Sequence, residues 1–252
     1  MGNLPEPQQR PRSEFPIITL LPNVLTIAAI CAGLTAIRLG VEGNYELAVQ
    51  LVLFAGVLDG LDGRLARALK SDSKMGAELG SLADFLNFGV APPLLIYYWA
   101  LDTTRSAGWI CVLIFAVCCV VRLARFNVHA KSETDEFDNR FFVGVPAPAG
   151  ALLVLLPMFI SFSIAEKPVL PVAMICLHMV FVGWLLISRI PTWSFKTLTV
   201  SRENVKFFLV GIAFTGAAAL TYAWVTLVAL CIAYVGAVIW ALVSGKRPDT
   251  SQ

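Results

Sequence analysis

The chain has 252 residues, 58% of them hydrophobic and only 14% charged, with a mean hydropathy of +0.76. Soluble domains carry about 25% charge, so a soluble globular protein is excluded. No long polar tract or fixed-period repeat points to disorder or a solenoid. The formal net charge of +2 says little alone, and no nucleic-acid partner is expected.

Residues 1–13, with Pro5, Pro7 and Pro11, read as a polar disordered tail, and no cleavable signal peptide is expected. Residues 14–21 are apolar and suit the membrane interface before Pro22-Asn23 opens the first span. Apolar segments then run over 17–40, 45–69, 77–101, 107–127, 144–164, 168–188, 206–222 and 223–244. Each is near the ~20 residues that cross a hydrocarbon core as a helix. The expected fold is all-α and integral to the membrane, with about eight spans. A membrane core over 14–204 is followed by an appended hairpin over 205–245 and a short tail over 246–252. The connection over about 128–143 is acidic and reads as a solvated loop. Pro146 and Pro148 fit the start of the fifth helix, where lost N–H donors cost nothing.

Basic residues orient the spans. Of the 19 Lys and Arg, only Arg38, Arg105 and Lys167 fall on the face opposite the termini. The rich face is expected to be cytoplasmic, as are both termini, in the cell (inner) membrane. The six cysteines, Cys31, Cys111, Cys118, Cys119, Cys176 and Cys231, lie in apolar spans without CxxC spacing. They read as small buried hydrophobes.

Chemistry concentrates in the second and third spans. Asp59 and Asp62 are three apart and share a helix face, beside Gly63 and Ala66. Carboxylates at membrane depth are costly and mark function. Arg67 follows near the cytoplasmic end, where an incoming phosphate would be met. Gly76, Gly80 and Asp84 recur every four residues and form a second stripe. Two facing stripes of glycine and carboxylate suit an oxygen-ligated Mg²⁺ or Mn²⁺ with bridging phosphates. The plainer alternative is a solvated helix end, with the aspartates paired to Arg64 or Arg67. Glu78 points away from the stripe, and Asp72 belongs to a polar loop. His129 and His178 have no ligand-like partners.

The run Asp59-x2-Asp62-Gly63-x2-Ala66-Arg67-x8-Gly76-x3-Gly80-x3-Asp84 resembles the signature of the CDP-alcohol phosphotransferases. Several flanks resemble its phosphatidylserine synthase branch: 21–26 (LPNVLT), 85–92 (FLNFGVAP), 122–127 (RLARFN) and 142–148 (FVGVPAP). The resemblance covers about residues 15–245. It implies a six-helix core that binds CDP-diacylglycerol at the cytoplasmic surface, with membrane lipids around it. It implies transfer of the phosphatidyl group to L-serine with release of CMP, and a homodimer. Asp59, Asp62 and Asp84 would be metal ligands, with Asp84 the general base. Gly63, Ala66, Arg67 and Gly76 would bind the nucleotide. Arg122 and Arg125 suit a phosphate or the serine carboxylate, or else act only as positive-inside anchors.

One position departs from the signature. The family's third aspartate falls on position 80, where this chain has glycine. That removes a charge and up to two oxygens from a site expected to hold two cations. A weakened or single-metal centre and a chain without activity, natural or engineered, both stay open. Glycerol phosphate or choline stays open as the acceptor. A transporter would place its acids at the bilayer midplane within inverted repeats. Asp59 and Asp62 lie instead within a few turns of the basic loop, and no repeat is visible.

Overall fold

The computed structural model describes residues 17–71, 73–104, 106–131, 141–164, 168–188, 191–193 and 205–243. The N-terminal tail, Asp72, most of the acidic loop and the C-terminal tail lie outside the described residues. So do several of the basic residues that set the orientation, among them Arg10, Arg140, Arg189 and Arg202.

Eight helical rods follow one another among the described residues. They are α1 (Leu21–Val41), α2 (Tyr45–Leu69), α3 (Lys74–Thr104), α4 (Ser106–Lys131), α5 (Ala147–Ile164), α6 (Val172–Ile187), α7 (Val205–Thr221) and α8 (Ala223–Val243). A 3₁₀ turn, Ile17–Leu20, leads into α1. The segments expected from hydropathy thus all form helices. Five rods are long and apolar enough to cross a membrane: α1, α3, α4, α5 and α8. The α2 rod carries the charged motif, and α6 is apolar but only 16 residues long. The chain is a helical integral membrane protein.

The all-α expectation needs one correction. Phe141–Val143 (β1) and Pro191–Trp193 (β2) form a short antiparallel ribbon, with Phe141 opposite Trp193. It ties the segment before α5 to the segment after α6. Gly144, at φ +87, makes the turn out of β1. A Cβ there would lie 2.7 Å from the Ser188 carbonyl, so only glycine fits.

Helices α1 and α2 pack closely through Ala29, Ala32, Ala55 and Leu58. Lipid tails are as apolar as leucine, so helices associate in membranes by close packing of small residues. The main core gathers Leu95, Ile96, Phe115, Leu155, Met158, Phe159, Ile175, Met179 and Leu186 from α3 to α6. Outward surfaces stay apolar, as at Val57, Val117, Phe181 and Phe214, which suits lipid rather than water. Among the cysteines, Cys111, Cys119 and Cys231 are buried as expected, whereas Cys31 is exposed on the outer face of α1.

Rod α3 is not uniform. Residues Phe85–Val90 and Tyr97–Leu101 are wound as π-helix. The Ala91 N–H donates to the Leu86 carbonyl, five residues back. Pro92 and Pro93 follow and have no N–H for the carbonyls of Phe88 and Gly89, so the α-helical ladder fails there. The loosened turn begins immediately after Asp84.

Candidate functional site

Helix α2 ends at Lys70, whose left-handed backbone (φ 50) closes the last turn. The chain then reverses, and Ser73 caps α3 by accepting the Gly76 N–H on its hydroxyl at 3.0 Å. This tight reversal sets the first turns of α3 against the last turns of α2. Gly76 packs against α1, where a Cβ would lie 2.9 Å from Asn23 Oδ1.

Two carboxylates meet as a consequence, with a third close by. Asp59 on α2 and Asp84 on α3 stand side chain to side chain, within hydrogen-bonding reach, and both feel the charge of Asp62. Asp62 is 8% exposed and turns toward α1, where the Thr26 hydroxyl donates to its Oδ2. The same hydroxyl lies 3.1 Å from the Pro22 carbonyl. Among the described residues, no three Asp, Glu, His or Cys side chains close on one point as a ready metal cage. Two causes are visible: Thr26 holds Asp62 toward α1, and position 80 brings no carboxylate. The donors that are present are all oxygens, the set that suits Mg²⁺ or Mn²⁺.

Beside Asp62 opens a cavity of about 230 Å³ between α1, α2 and α3. Its walls include Asn23, Thr26, Gly63, Ala66, Ser71, Gly76 and Gly80. Ideal Cβ atoms at Gly63 and Gly80 would meet nothing within 4 Å. The Ser71 hydroxyl is buried there without a hydrogen-bond partner among the described residues. The expected small residues Gly63, Ala66 and Gly76 therefore do share one recess with Asp62. Arg67 does not line it; this residue is exposed, and its Nε donates to the Gly63 carbonyl at 3.1 Å. Glu78 is exposed, as expected.

On the other side of Asp84 stands α4. Asn127 donates to the Ser81 hydroxyl at 2.7 Å and fastens α4 to α3. Arg122 is half-buried and acts electrostatically on Asp84, while its Nε donates to the Val145 carbonyl at 2.5 Å. Arg125 is exposed and donates through Nη1 to the Ile187 carbonyl at 3.0 Å, at the C-terminal end of α6. The two arginines separate in role: Arg122 faces the acids, and Arg125 closes a helix end. His178 bonds the Leu153 carbonyl at 2.7 Å and belongs to the packing.

Sequence reasoning missed Thr26, Ser71 and Asn87. Asn87 is 0% exposed, three residues past Asp84 in the π-wound turn, and among the described residues neither its amide oxygen nor its nitrogen has a partner. It presses on Gly33 of α1, where a Cβ would lie 2.0 Å from its Oδ1. The signal was available for Thr26, a hydroxyl one turn after Pro22-Asn23 in a mostly apolar first span. For Asn87 no local pattern marks the residue as orphaned.

Comparison with known proteins agrees with this geometry. The sequence model of the CDP-alcohol phosphatidyltransferase family matches residues 19–251, almost the whole described chain. The chain is 41% identical over 211 residues to the CDP-diacylglycerol–serine O-phosphatidyltransferase of Mycobacterium leprae, covering 83% of this chain and 70% of that one. It is 38% identical over 218 residues to the enzyme of that name from Mycobacterium tuberculosis, covering 86% and 76%. The Helicobacter pylori enzyme of that name is 33% identical over 195 residues, covering 77% and 79%. Facing acids on α2 and α3, a recess walled by the motif's small residues and a match over nearly the full length lead to one conclusion: the chain belongs to the CDP-alcohol phosphatidyltransferase family.

Proposed function

We propose that this protein transfers the phosphatidyl group of CDP-diacylglycerol to the hydroxyl of L-serine and releases CMP, in the membrane where phospholipid is made. The observation that carries the reading is the juxtaposition of Asp59 and Asp84 beside a recess walled by Asp62, Gly63, Ala66, Gly76 and Gly80. The relatives that bear the serine-transferring name support serine over glycerol phosphate or choline as the acceptor.

In this reading the nucleotide end of CDP-diacylglycerol occupies the recess and the acyl chains lie in lipid. Small residues at 63, 66 and 76 let the ligand approach the backbone, and the Ser71 hydroxyl offers it a hydrogen bond. Arg67, at the exposed end of α2, meets the incoming phosphates. Asp59, Asp62 and Asp84 would hold Mg²⁺ or Mn²⁺. The metal would neutralise the pyrophosphate, as phosphoryl transfer requires. Asp84 accepts the proton from the serine hydroxyl. The serine oxygen attacks the phosphorus that bears diacylglycerol, the bond from that phosphorus to the CMP oxygen breaks, and CMP leaves. Arg122, beside Asp84, receives an anionic group of phosphate or serine; Arg125 contributes charge from the end of α6. The site faces the cytoplasm, eight spans put both termini on that side, and the working form is a homodimer.

The test is an acceptor panel. The protein in lipid, with CDP-diacylglycerol and Mn²⁺ or Mg²⁺, should release CMP with L-serine and form labelled phosphatidylserine. CMP release with glycerol phosphate or choline but not with serine would refute the acceptor assignment. No CMP with any of them would refute the enzyme reading for this chain.

A further inference from the structure

Helices α3 and α4 meet at two levels. Gly89 of α3 presses on Cys119 of α4, where a Cβ would lie 3.0 Å from the cysteine sulfur and 3.2 Å from its Cβ. Eight residues earlier on α3 and eight later on α4, the Asn127 amide donates to the Ser81 hydroxyl at 2.7 Å. The two contacts therefore share one antiparallel register. Asp84 lies between them, three residues past Ser81 and five before Gly89.

The contact at Gly89 does not by itself set the direction of Asp84. The turn Phe85–Val90 is π-wound, so the α-helical ladder is interrupted between the two residues. Packing holds the first half of α3 only lightly. Within Lys74–Asp84, Ala83 alone is buried, and Met75 and Leu82 are exposed. On the recess side Gly80 offers no side chain, and a Cβ there would meet nothing within 4 Å. The Ser73 cap holds the start of this half, and the bond from Asn127 holds its flank. In a bilayer, apolar packing discriminates little between helix and lipid, so interhelical hydrogen bonds act as orienting contacts. Asn127 also ends the RLARFN run, whose Arg122 and Arg125 both donate to backbone carbonyls of neighbouring segments.

We infer that Asn127 is a positioning residue for phosphatidyl transfer: through Ser81 it sets the rotation of α3, and so the direction in which Asp84 meets the acceptor hydroxyl. The inference rests on the reading of Asp84 as the base. Asn127 acts through α3 and takes no part in proton transfer itself. A catalytic group displaced by about 1 Å can lose about a hundredfold in rate, even when the cause lies away from the chemistry.

Asn127→Ala and Ser81→Ala each remove one side of the bond. CMP release from CDP-diacylglycerol and L-serine should be measured for the parent, both variants and the double variant. Melting temperature and the KM for CDP-diacylglycerol should be followed in parallel. Each single variant should lower kcat about tenfold or more, with that KM and the melting temperature near the parent's. The double variant should be no slower than the slower single one, since both changes remove the same contact. Parent-like kcat in either single variant would overturn the inference, and so would additive losses in kcat. A lowered melting temperature with kcat unchanged would make the pair a packing contact. Asp84→Asn is the reference. If it turns over at the parent's rate, or if the parent itself releases no CMP, the transfer reading fails and this inference falls with it. An inactive Asp84→Asn beside a parent-like Asn127→Ala overturns the positioning role alone.

Discussion

Position 80 lies on the recess wall one helical turn before Asp84, and a Cβ built there meets no atom within 4 Å. Glycine within a helix is about 0.5–1 kcal/mol worse than alanine. Neither packing nor a backbone requirement among the neighbouring residues explains its presence. The Cβ of an aspartate would meet no neighbour, and its carboxylate would bring two oxygens to the recess that Asp62 lines. Gly80→Asp should therefore raise metal-dependent CMP release by at least about a hundredfold, since even outer-shell partners of a metal are worth roughly 10–100-fold. Gly80→Ala is the control: it should raise the melting temperature slightly and leave turnover at the parent's level. Equal turnover in all three would mean that the centre does not follow the family plan. Thr26→Val addresses the opposite wall. It leaves the Asp62 oxygen without its donor, a cost of about 1–3 kcal/mol at a buried site. Denaturation in detergent without added metal should show that loss.

Among the elements, α3 carries the most consequence for the site. The first half, capped by Ser73, places Gly76, Gly80 and Asp84 on one stripe, and the second half is reshaped by Pro92 and Pro93. The stripe was legible from four-residue spacing alone, as was the i,i+3 pair of Asp59 and Asp62. Pro92 and Pro93 mark the break in the ladder, but the seating of Asn87 and Phe88 against Gly33 and Gly56 of neighbouring helices was not legible. The β1–β2 ribbon was also missed: three-residue strands leave no period to read. Its turn is testable. Gly144→Ala forces a side chain into a left-handed backbone and against the Ser188 carbonyl. It should cost about 1–3 kcal/mol, read as a lowered unfolding midpoint. The KM for serine should also worsen, because the adjacent Val145 carbonyl holds Arg122. A stable variant with an unaltered midpoint would contradict the strain argument.

For the molecule as a whole, hydropathy located every helical rod, because lipid selects continuous apolar helices. It could not say which rods touch. The α7–α8 pair reads as an appended hairpin, and α7 is largely exposed, but α8 docks on α5 through Trp224 and Cys231. Contacts of that kind join residues as far as 79 positions apart and leave no trace in local pattern. The positive-inside distribution predicts that reporters fused at either terminus are active only in the cytoplasm; a periplasmic signal from one end would require an odd number of spans. The central claim is that the facing acids of α2 and α3 run phosphatidyl transfer, with Asp84 as the base. The most direct measurement is CMP release from CDP-diacylglycerol and serine by the Asp84→Asn variant beside the parent, with binding of the CDP-lipid followed separately. Transfer should fall to background while the lipid still binds; turnover at the parent's rate would remove Asp84 from the mechanism and contradict the account.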